Sequence, residues 1–228
     1  MRIVVTGGTG ALGSAVVRLL LDRGHRLAVP YRGLPAWETL TGRLGPSSTG
    51  ALWGQAADMA DVAAARGFMD AALRHLGDLD GIAALAGGYA GSGRLEATPD
   101  SEWDEMLRIN LGSAHATCRA ALPHLLHSGG SVVTVISRSA EAGGAGSAAY
   151  ATAKMGVLAL TRALALENRD RGIRFNAISP GTIDTQANRA AMPGADRSRW
   201  TPAEAIAGVV AWLLSPASAP ITGAVIPV

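Results

Sequence analysis

The sequence has few reactive or membrane-seeking features. Its 228 residues include one cysteine, Cys118, so no disulfide can form within the chain. Cys118 lies in the helical pattern LGSAHATCRAALPHLL, where a small buried side chain is more common than a reactive thiol. No apolar run is long enough to cross a bilayer, and no signal-peptide pattern precedes the first strand-like run. We therefore expect a cytoplasmic protein with no membrane partner.

The sequence also lacks a charge bias. Lysine and arginine number 20 and aspartate and glutamate 18, which gives a formal net charge of +2. The arginines are scattered rather than clustered in a run, so the sequence predicts no nucleic-acid partner, and we predict no metal site. Because no internal repeat, low-complexity tract or linker is visible, we expect a single domain over residues 1–228.

Short β-branched runs alternate with longer stretches of helical periodicity. Several of these runs are apolar throughout, as expected for parallel strands that are covered on both faces. The alternation predicts an α/β fold of the Rossmann type, a doubly wound, mostly parallel sheet of about seven strands with helices on both faces. The strand-like runs are RIVV, RLAVPY, ALWG, GIAALA, SVVTVIS, IRFNAIS and GAVIPV.

Two segments interrupt the alternation. Residues 33–50 are interpreted as a surface excursion that contains a short helix. Residues 181–200 follow the sixth strand and include Arg189, Met192 and Trp200. Ligands of open α/β sheets bind beyond the carboxyl ends of the strands, so this second segment is a candidate substrate loop. The alternative is an idle surface loop with solvated arginines, which Met192 and Trp200 anchor.

The stretch TGGTGALG lies between the first strand and the first helix. Its glycines permit a tight turn and a close approach of the backbone to a pyrophosphate, and the helix N-terminus offers N–H donors to it. This context predicts a dinucleotide site, with a purely structural turn as the alternative. The candidate binding residues are Thr6, Gly7, Thr9, Gly10, Ala11, Leu12 and Gly13.

A second motif, YATAK, places Tyr150 and Lys154 four residues apart in a helical pattern, so both side chains project from one face. A neighbouring ammonium favours the phenolate and lowers the pKa of a tyrosine, which would let Tyr150 exchange a proton with a carbonyl or an alcohol. Ser137 ends the fifth strand-like run and could hold the substrate oxygen beside the tyrosine.

With these motifs the chain resembles the short-chain dehydrogenase/reductase family. Asn110, Ser137, Tyr150 and Lys154 match the catalytic set of that family in order and spacing. The resemblance implies that Tyr150 is the general acid/base and that Ser137 orients the substrate oxygen. It also implies that Lys154 tunes Tyr150 and binds the nicotinamide ribose, and that Asn110 supports a proton-relay water. The Gly-x-x-Gly spacing of the turn is typical of extended epimerases. Those proteins need a sizeable C-terminal substrate domain, however, and only residues 186–228 follow Thr185 here, so we favour a compact reductase.

The resemblance extends to other cofactor-binding positions. It implies that Asp58, with Met59 beside it, holds the adenine, and that the segment SPGTIDT contacts the nicotinamide carboxamide. Asp58 and Thr185 also have alternatives as helix-cap or turn residues. In the segment ALAGG, Ala84 and Leu85 replace the two asparagines usual in the family. The remaining candidate cofactor-binding residues are Ala86, Gly87, Pro180, Gly181, Ile183 and Thr185.

A narrower resemblance points to the dihydropteridine reductase branch of the family. It is carried by GGTGALGS, AGGYAG and residues 183–206, but that branch generally lacks the partners that Ser137 and Asn110 provide here. The branch typically uses NADH. However, the second strand ends at Tyr31 and Arg32 rather than at the carboxylate that would bind the adenine ribose of NAD. Because the Arg32 guanidinium could clamp a 2′-phosphate, the sequence favours NADP over NAD.

The predicted function is NAD(P)H-dependent interconversion of a ketone and a secondary alcohol, with a small-molecule carbonyl or alcohol as substrate. One alternative is an enzyme like quinonoid dihydropteridine reductase. Another is a catalytically inactive regulator that senses NAD(P). The resemblance also implies a homodimer or homotetramer, assembled through the long helices around residues 110–126 and 150–167.

Overall fold

A seven-stranded parallel sheet forms the centre of the computed structural model, which describes residues 1–45 and 50–228. The strand order is β3-β2-β1-β4-β5-β6-β9, so the direction of winding reverses between β1 and β4. Such a reversal opens a crevice at the carboxyl ends of the strands. The strands are β1 (Arg2–Thr6), β2 (Arg26–Tyr31), β3 (Leu52–Ala56), β4 (Gly81–Ala84), β5 (Gly130–Val135), β6 (Ile173–Ser179) and β9 (Val225–Pro227).

Helices cover both faces of this sheet. A π-helical turn, Leu107–Gly112, joins α4 to α5, and a small separate sheet pairs β7 (Ile183–Asp184) with β8 (Thr201–Pro202). The helices are α1 (Ala11–Asp22), α2 (Leu34–Leu44), α3 (Val62–Leu76), α4 (Asp100–Met106), α5 (Ser113–Ser128), α6 (Arg138–Glu141), α7 (Ala148–Glu167), α8 (Gln186–Ala191) and α9 (Ala203–Leu214).

Strand β1 illustrates how the sequence builds two cores. Ile3 and Val5 are fully buried in one cluster together with side chains of α1 and α9, whereas Val4 is buried in a second cluster with α3 and α5. Alternate side chains of a strand point to opposite faces, so an uninterrupted apolar run is required when helices cover both faces. Helix ends also follow local chemistry. Asp61 accepts a hydrogen bond from the amide of Ala64 at the start of α3.

The structure confirms the predicted fold class, strand number and two-sided helix cover. Some strand boundaries differ from the predicted ones. The fifth strand, for example, ends at Val135 instead of Ser137. The excursion at 33–50 contains α2, and its residues 46–49 lie outside the described residues. The candidate loop at 181–200 is more regular than expected, because it contains β7 and α8. Cys118 is buried as predicted, and burial raises the pKa of its thiol to about 12.

No helix within the described residues is long and apolar enough to span a membrane. Over the same ranges, 1–45 and 50–228, no group of three or more histidine, cysteine, aspartate or glutamate side chains could hold a metal ion.

Candidate active site

A groove of about 530 Å³ lies at the carboxyl ends of the strands, where the strand order reverses. It brings together segments that are far apart in the sequence, from the glycine turn at its start to the YATAK motif. The lining includes most of the predicted cofactor-binding positions. These are Gly7, Thr9, Gly10, Ala11, Leu12, Gly13, Tyr31, Arg32, Asp58, Met59, Ala86, Gly87, Tyr150, Lys154 and Ile183.

The glycine turn is tightly packed. Gly7 has a φ of +67°, in the left-handed region that favours glycine, and an added Cβ there would lie 2.8 Å from the amide nitrogen of Ala86. A Cβ on Gly13 would lie 2.0 Å from the carbonyl oxygen of Gly7. Strand β1, helix α1 and the segment after β4 therefore approach each other too closely for larger residues.

The start of α1 is open to an anion. Gly10 occupies the N-cap without a side-chain cap, and the first turn holds no acidic residue. The first helical bond runs from the Ser14 amide to the Gly10 oxygen, 2.8 Å apart. Because the amides of Ala11, Leu12 and Gly13 precede that ladder, they are suited to bind phosphate oxygens.

Thr6 lies behind the groove rather than in its lining. Its side chain is buried, and its Oγ1 accepts a hydrogen bond from the Ala86 amide at 3.2 Å. The Thr6 carbonyl oxygen also accepts a bond from the amide of Leu85. Thr6 therefore braces the ALAGG segment, in which Ala84 and Leu85 lack the amide side chains usual in the family.

At one end of the groove, Tyr31 stacks on Trp37 with ring centroids 5.2 Å apart, and Arg32 is exposed. Asp58 is not the cap of α3, because Asp61 has that role. The Asp58 carboxylate accepts hydrogen bonds from the Ala60 amide at 3.0 Å and from Arg108 at 2.7 Å. These two bonds hold the pKa of Asp58 below its ordinary value.

Asn110 is buried on the π-helical turn, next to the segment after β4. Its Oδ1 accepts a hydrogen bond from the Gly88 amide at 3.2 Å, and its Nδ2 donates to the carbonyl oxygens of Gly88 and Met106, both at 3.0 Å. A Cβ on Gly87 would lie 2.5 Å from the same Oδ1. Asn110 thus anchors the loop that lines the groove without lining the groove itself. Single π-helical turns recur at functional sites in proteins.

Tyr150 and Lys154 project from the first turns of α7. Lys154 is 6% exposed, and its Nζ donates a hydrogen bond to the Val135 oxygen at 3.1 Å. Burial lowers the pKa of Lys154 to about 8. Burial also raises the pKa of Tyr150, and the neighbouring Ser137 hydroxyl only partly opposes this. We expected Lys154 to lower the pKa of Tyr150. In the chain alone the pKa is raised instead, because the cost of desolvating the phenolate is larger.

Ser137 precedes the short helix α6 and is 9% exposed. Its hydroxyl lies 2.8 Å from that of Ser139, and either one can be the donor. Although Ser137 is not part of the groove lining, its hydroxyl acts to lower the pKa of Tyr150, against the larger effect of burial.

The segment after β6 runs beside Ser137. Pro180 accepts a hydrogen bond from the amide of Arg138 at 3.0 Å, and the Arg138 guanidinium fills the space where Gly181 would carry a Cβ. Ile183 lines the groove. Thr185 is the N-cap of α8, since its Oγ1 accepts a hydrogen bond from the Asn188 amide at 3.1 Å. The side chain of Thr185 therefore has the helix-cap role that the sequence offered as an alternative to cofactor binding.

Three predicted substrate-loop residues lie away from the groove as it is formed by the described residues. Arg189 makes a two-pronged ion pair with Asp184, with both N···O distances 2.6 Å. Met192 is exposed, and Trp200 packs beside the guanidinium of Arg197. Arg189 thus has an ion-pair partner on its own segment.

Sequence reasoning did not single out Tyr89 or Arg108. Tyr89 is 69% exposed, lines the groove, and meets the Tyr150 ring edge-on with centroids 5.0 Å apart. Arg108 reaches the groove through its hydrogen bond to Asp58, fifty residues earlier. The AGGYAG stretch was the one available signal for Tyr89, and no local pattern indicated Arg108.

The sequence and fold have known relatives. Residues 8–228 match the family model described as enoyl-(acyl carrier protein) reductase. The chain is 30% identical over 231 residues to D-threitol dehydrogenase of Mycolicibacterium smegmatis, which covers 97% of this chain and 88% of that protein.

Solved structures are similar over the whole chain. A short-chain dehydrogenase/reductase of the glucose/ribitol dehydrogenase type from Brucella melitensis has a TM-score of 0.86 at 28% identity, covering 100% of this chain and 94% of that chain. An NADPH-bound short-chain oxidoreductase from Pseudomonas aeruginosa PAO1, described as containing an atypical catalytic center, has a TM-score of 0.90 at 28% identity. Its coverage is 100% of this chain and 95% of that chain.

Proposed function

The chain belongs to the short-chain dehydrogenase/reductase family of NAD(P)-dependent oxidoreductases, and we propose that it interconverts a ketone and a secondary alcohol. One groove carries this proposal, because it is lined both by the glycine turn and by Tyr150 and Lys154. A dinucleotide held by the turn would extend along the groove toward Tyr150.

The residues of the groove fit a dinucleotide. Its volume of about 530 Å³ is within the usual range for a cofactor-sized ligand. The absence of side chains at Gly7 and Gly13 leaves the backbone accessible, and the uncapped start of α1 suits a pyrophosphate. When bound, NAD(P) supplies or accepts the hydride.

The proton is handled by the chain itself. In the reductive direction the Tyr150 hydroxyl donates its proton to the substrate oxygen, and in the oxidative direction the phenolate accepts it. Ser137 donates a hydrogen bond to the same oxygen and orients it. Lys154 holds the nicotinamide ribose and adds positive charge near Tyr150, and Asn110 supports a relay water beside Gly88.

NADP is the proposed cofactor in preference to NAD. Arg32 is exposed and lines the groove just after β2, and the strand ends at Tyr31 rather than at a carboxylate that would repel a 2′-phosphate. A guanidinium binds phosphate oxygens through two parallel N–H donors.

We also propose that the chain forms a homodimer or homotetramer through α5 and α7. Leu166 is 72% exposed on α7, and Met155 and Leu126 are partly exposed on α7 and α5. Exposed large apolar side chains on these two helices favour association. Light scattering coupled to size-exclusion chromatography tests this, and a monomeric mass at micromolar concentration would contradict it.

A panel of ketones and secondary alcohols tests the proposed activity, with oxidation of NADPH and NADH followed by absorbance. Tyr150→Phe should abolish turnover of any active substrate and leave dinucleotide affinity nearly unchanged. A Phe variant that retains turnover would overturn the role of Tyr150. Neither pterin reduction nor catalytically silent sensing of NAD(P) is favoured, because the relatives described above are a D-threitol dehydrogenase and a protein of the glucose/ribitol dehydrogenase type.

A further inference from the structure

Arg108, on the π-helical turn, joins two carboxylates with all three of its guanidinium nitrogens. Its Nη1 donates to Oδ2 of Asp58 at 2.7 Å. Its Nε and Nη2 donate to the two carboxylate oxygens of Glu105 at 2.7 and 2.9 Å. The planar fork of arginine suits this arrangement, whereas the single ammonium of a lysine cannot reproduce it.

The Asp58 carboxylate is held from two sides. Its Oδ1 accepts the Ala60 amide at 3.0 Å, while Oδ2 accepts Arg108. Asp58 and Ala60 line the groove, whereas Arg108 is not part of that lining over residues 1–45 and 50–228. Asp58 is the groove-lining residue to which the Arg108 side chain donates a hydrogen bond, so the orientation and charge of Asp58 are the direct route from Arg108 to a ligand in the groove.

The ion pair between Arg108 and Asp58 contributes little to the stability of the fold. The side chains of Arg108 and Asp58 are 43% and 44% exposed. Ion pairs this accessible contribute little to stability, because water solvates and screens both partners. The geometry of the Asp58 carboxylate, by contrast, matters to any ligand that donates a hydrogen bond to it.

We infer that Arg108 is a positioning residue that fixes the Asp58 carboxylate so that it accepts a hydrogen bond from the 6-amino group of the bound adenine. This inference rests on the proposed dinucleotide site, with Asp58 at its adenine end. A carboxylate held as an anion accepts hydrogen bonds only. The site therefore favours a base that presents a hydrogen-bond donor to Asp58. It disfavours hypoxanthine, which carries a carbonyl oxygen in place of the 6-amino group.

The test compares the dissociation constants of NADPH and of its hypoxanthine analogue, both measured by isothermal titration calorimetry. The proteins are the full chain and its Arg108→Gln, Asp58→Asn and Asp58→Asn/Arg108→Gln variants. Arg74→Gln on α3 is the matched control, since it removes the same charge from another exposed position. Thermal unfolding of each variant reports whether the fold is retained.

The wild-type chain should prefer the adenine dinucleotide about tenfold, as expected for one hydrogen bond to a charged group. Arg108→Gln should reduce this preference to about twofold or less with a nearly unchanged midpoint of unfolding, and Arg74→Gln should keep it. In the Asp58→Asn background, adding Arg108→Gln should change nothing more, because the two residues act as one unit.

The outcomes separate the inference from the function on which it rests. A wild-type chain that binds neither dinucleotide, and does not bind NADH either, overturns the proposed function itself. A wild-type chain that binds both equally leaves the function intact and overturns the reading of adenine by Asp58. If Asp58→Asn loses the preference while Arg108→Gln keeps it, Arg108 has no positioning role.

Discussion

The ammonium nitrogen of Lys154 lies 5.8 Å from the centroid of the Tyr150 ring, one turn further along α7. Burial acts in opposite directions on these two groups. It lowers the pKa of Lys154 to about 8 and raises that of Tyr150 above its ordinary value. The usual order of the two groups is therefore inverted in the chain alone, and as the pH rises Lys154 loses its proton first.

The buried ammonium makes stability depend on pH. Below pH 8 the folded chain carries the full cost of desolvating a charged Lys154. Between pH 8 and about 10.5 the unfolded chain still binds the proton that the folded chain has released, so the free energy of unfolding rises with pH. Lys154→Met should therefore stabilise the chain at pH 7 by about 1–3 kcal/mol. This gain should shrink toward pH 10 in urea denaturation.

Lys154 can be titrated directly because it is the only lysine in the sequence. Lysine-selective isotope labelling gives a single side-chain resonance, whose midpoint should fall near pH 8. A midpoint near 10.5, or a stability difference that is the same at pH 7 and pH 10, would contradict the assigned cost of burial.

Gly13→Ala should disable the dinucleotide site. The added Cβ would lie 2.0 Å from the Gly7 oxygen, so the turn must open. We expect at least a hundredfold loss of NADPH affinity, and a fall in the free energy of unfolding of about 1–3 kcal/mol from the forced backbone shift. Gly67→Ala is the matched control, because Gly67 lies in α3 and an added Cβ there would meet open space. It should raise stability by about 0.5–1 kcal/mol and leave affinity unchanged.

Arg32→Ala should weaken NADPH binding about tenfold or more and leave NADH binding unchanged, because only NADPH carries the 2′-phosphate. Calorimetric titration of both cofactors measures the ratio. Arg66→Ala removes the same charge from an exposed position of α3 and serves as control. An unchanged preference in Arg32→Ala would exclude Arg32 as the selector.

Asn110→Ala should affect both stability and turnover. The substitution removes the buried partner of the Gly88 amide and carbonyl, so we expect a loss of about 1–3 kcal/mol in the free energy of unfolding. The loop from Gly87 to Tyr89 should loosen, which hydrogen exchange of the Gly88 amide would detect. Unchanged exchange together with normal turnover would show that Asn110 has neither an anchoring nor a catalytic role.

The sequence was sufficient to predict what depends on local pattern. The apolar runs predicted the strands and their two-sided burial, and the glycine turn between Val5 and Ser14 predicted the start of the groove. Contacts between distant segments could not be read in this way. Nothing near Asp58 indicates that Arg108 pairs with it, because the two residues meet only when the π-helical turn approaches the segment that follows β3.

The 181–200 segment shows a second limit. Its polar, arginine-rich composition made it a candidate substrate loop, with an idle surface loop as the alternative, and in the structure Arg189 pairs with Asp184 and Thr185 caps α8. Composition alone does not distinguish an arginine that binds a ligand from one that, like Arg189, forms an ion pair with a residue five positions away. The sequence likewise does not identify the substrate. The exposed ring of Tyr89 offers an apolar contact surface in the groove, and such a surface does not select one chemical group.

The burial of Cys118 has a practical consequence for labelling. Its thiol is 2% exposed, and with a pKa of about 12 it is almost entirely protonated at neutral pH, so maleimide reagents should pass it by. Cysteines introduced at exposed positions would then be the only reactive thiols. Paired dyes at positions 32 and 89 could follow the distance between the two ends of the groove without first removing a native cysteine.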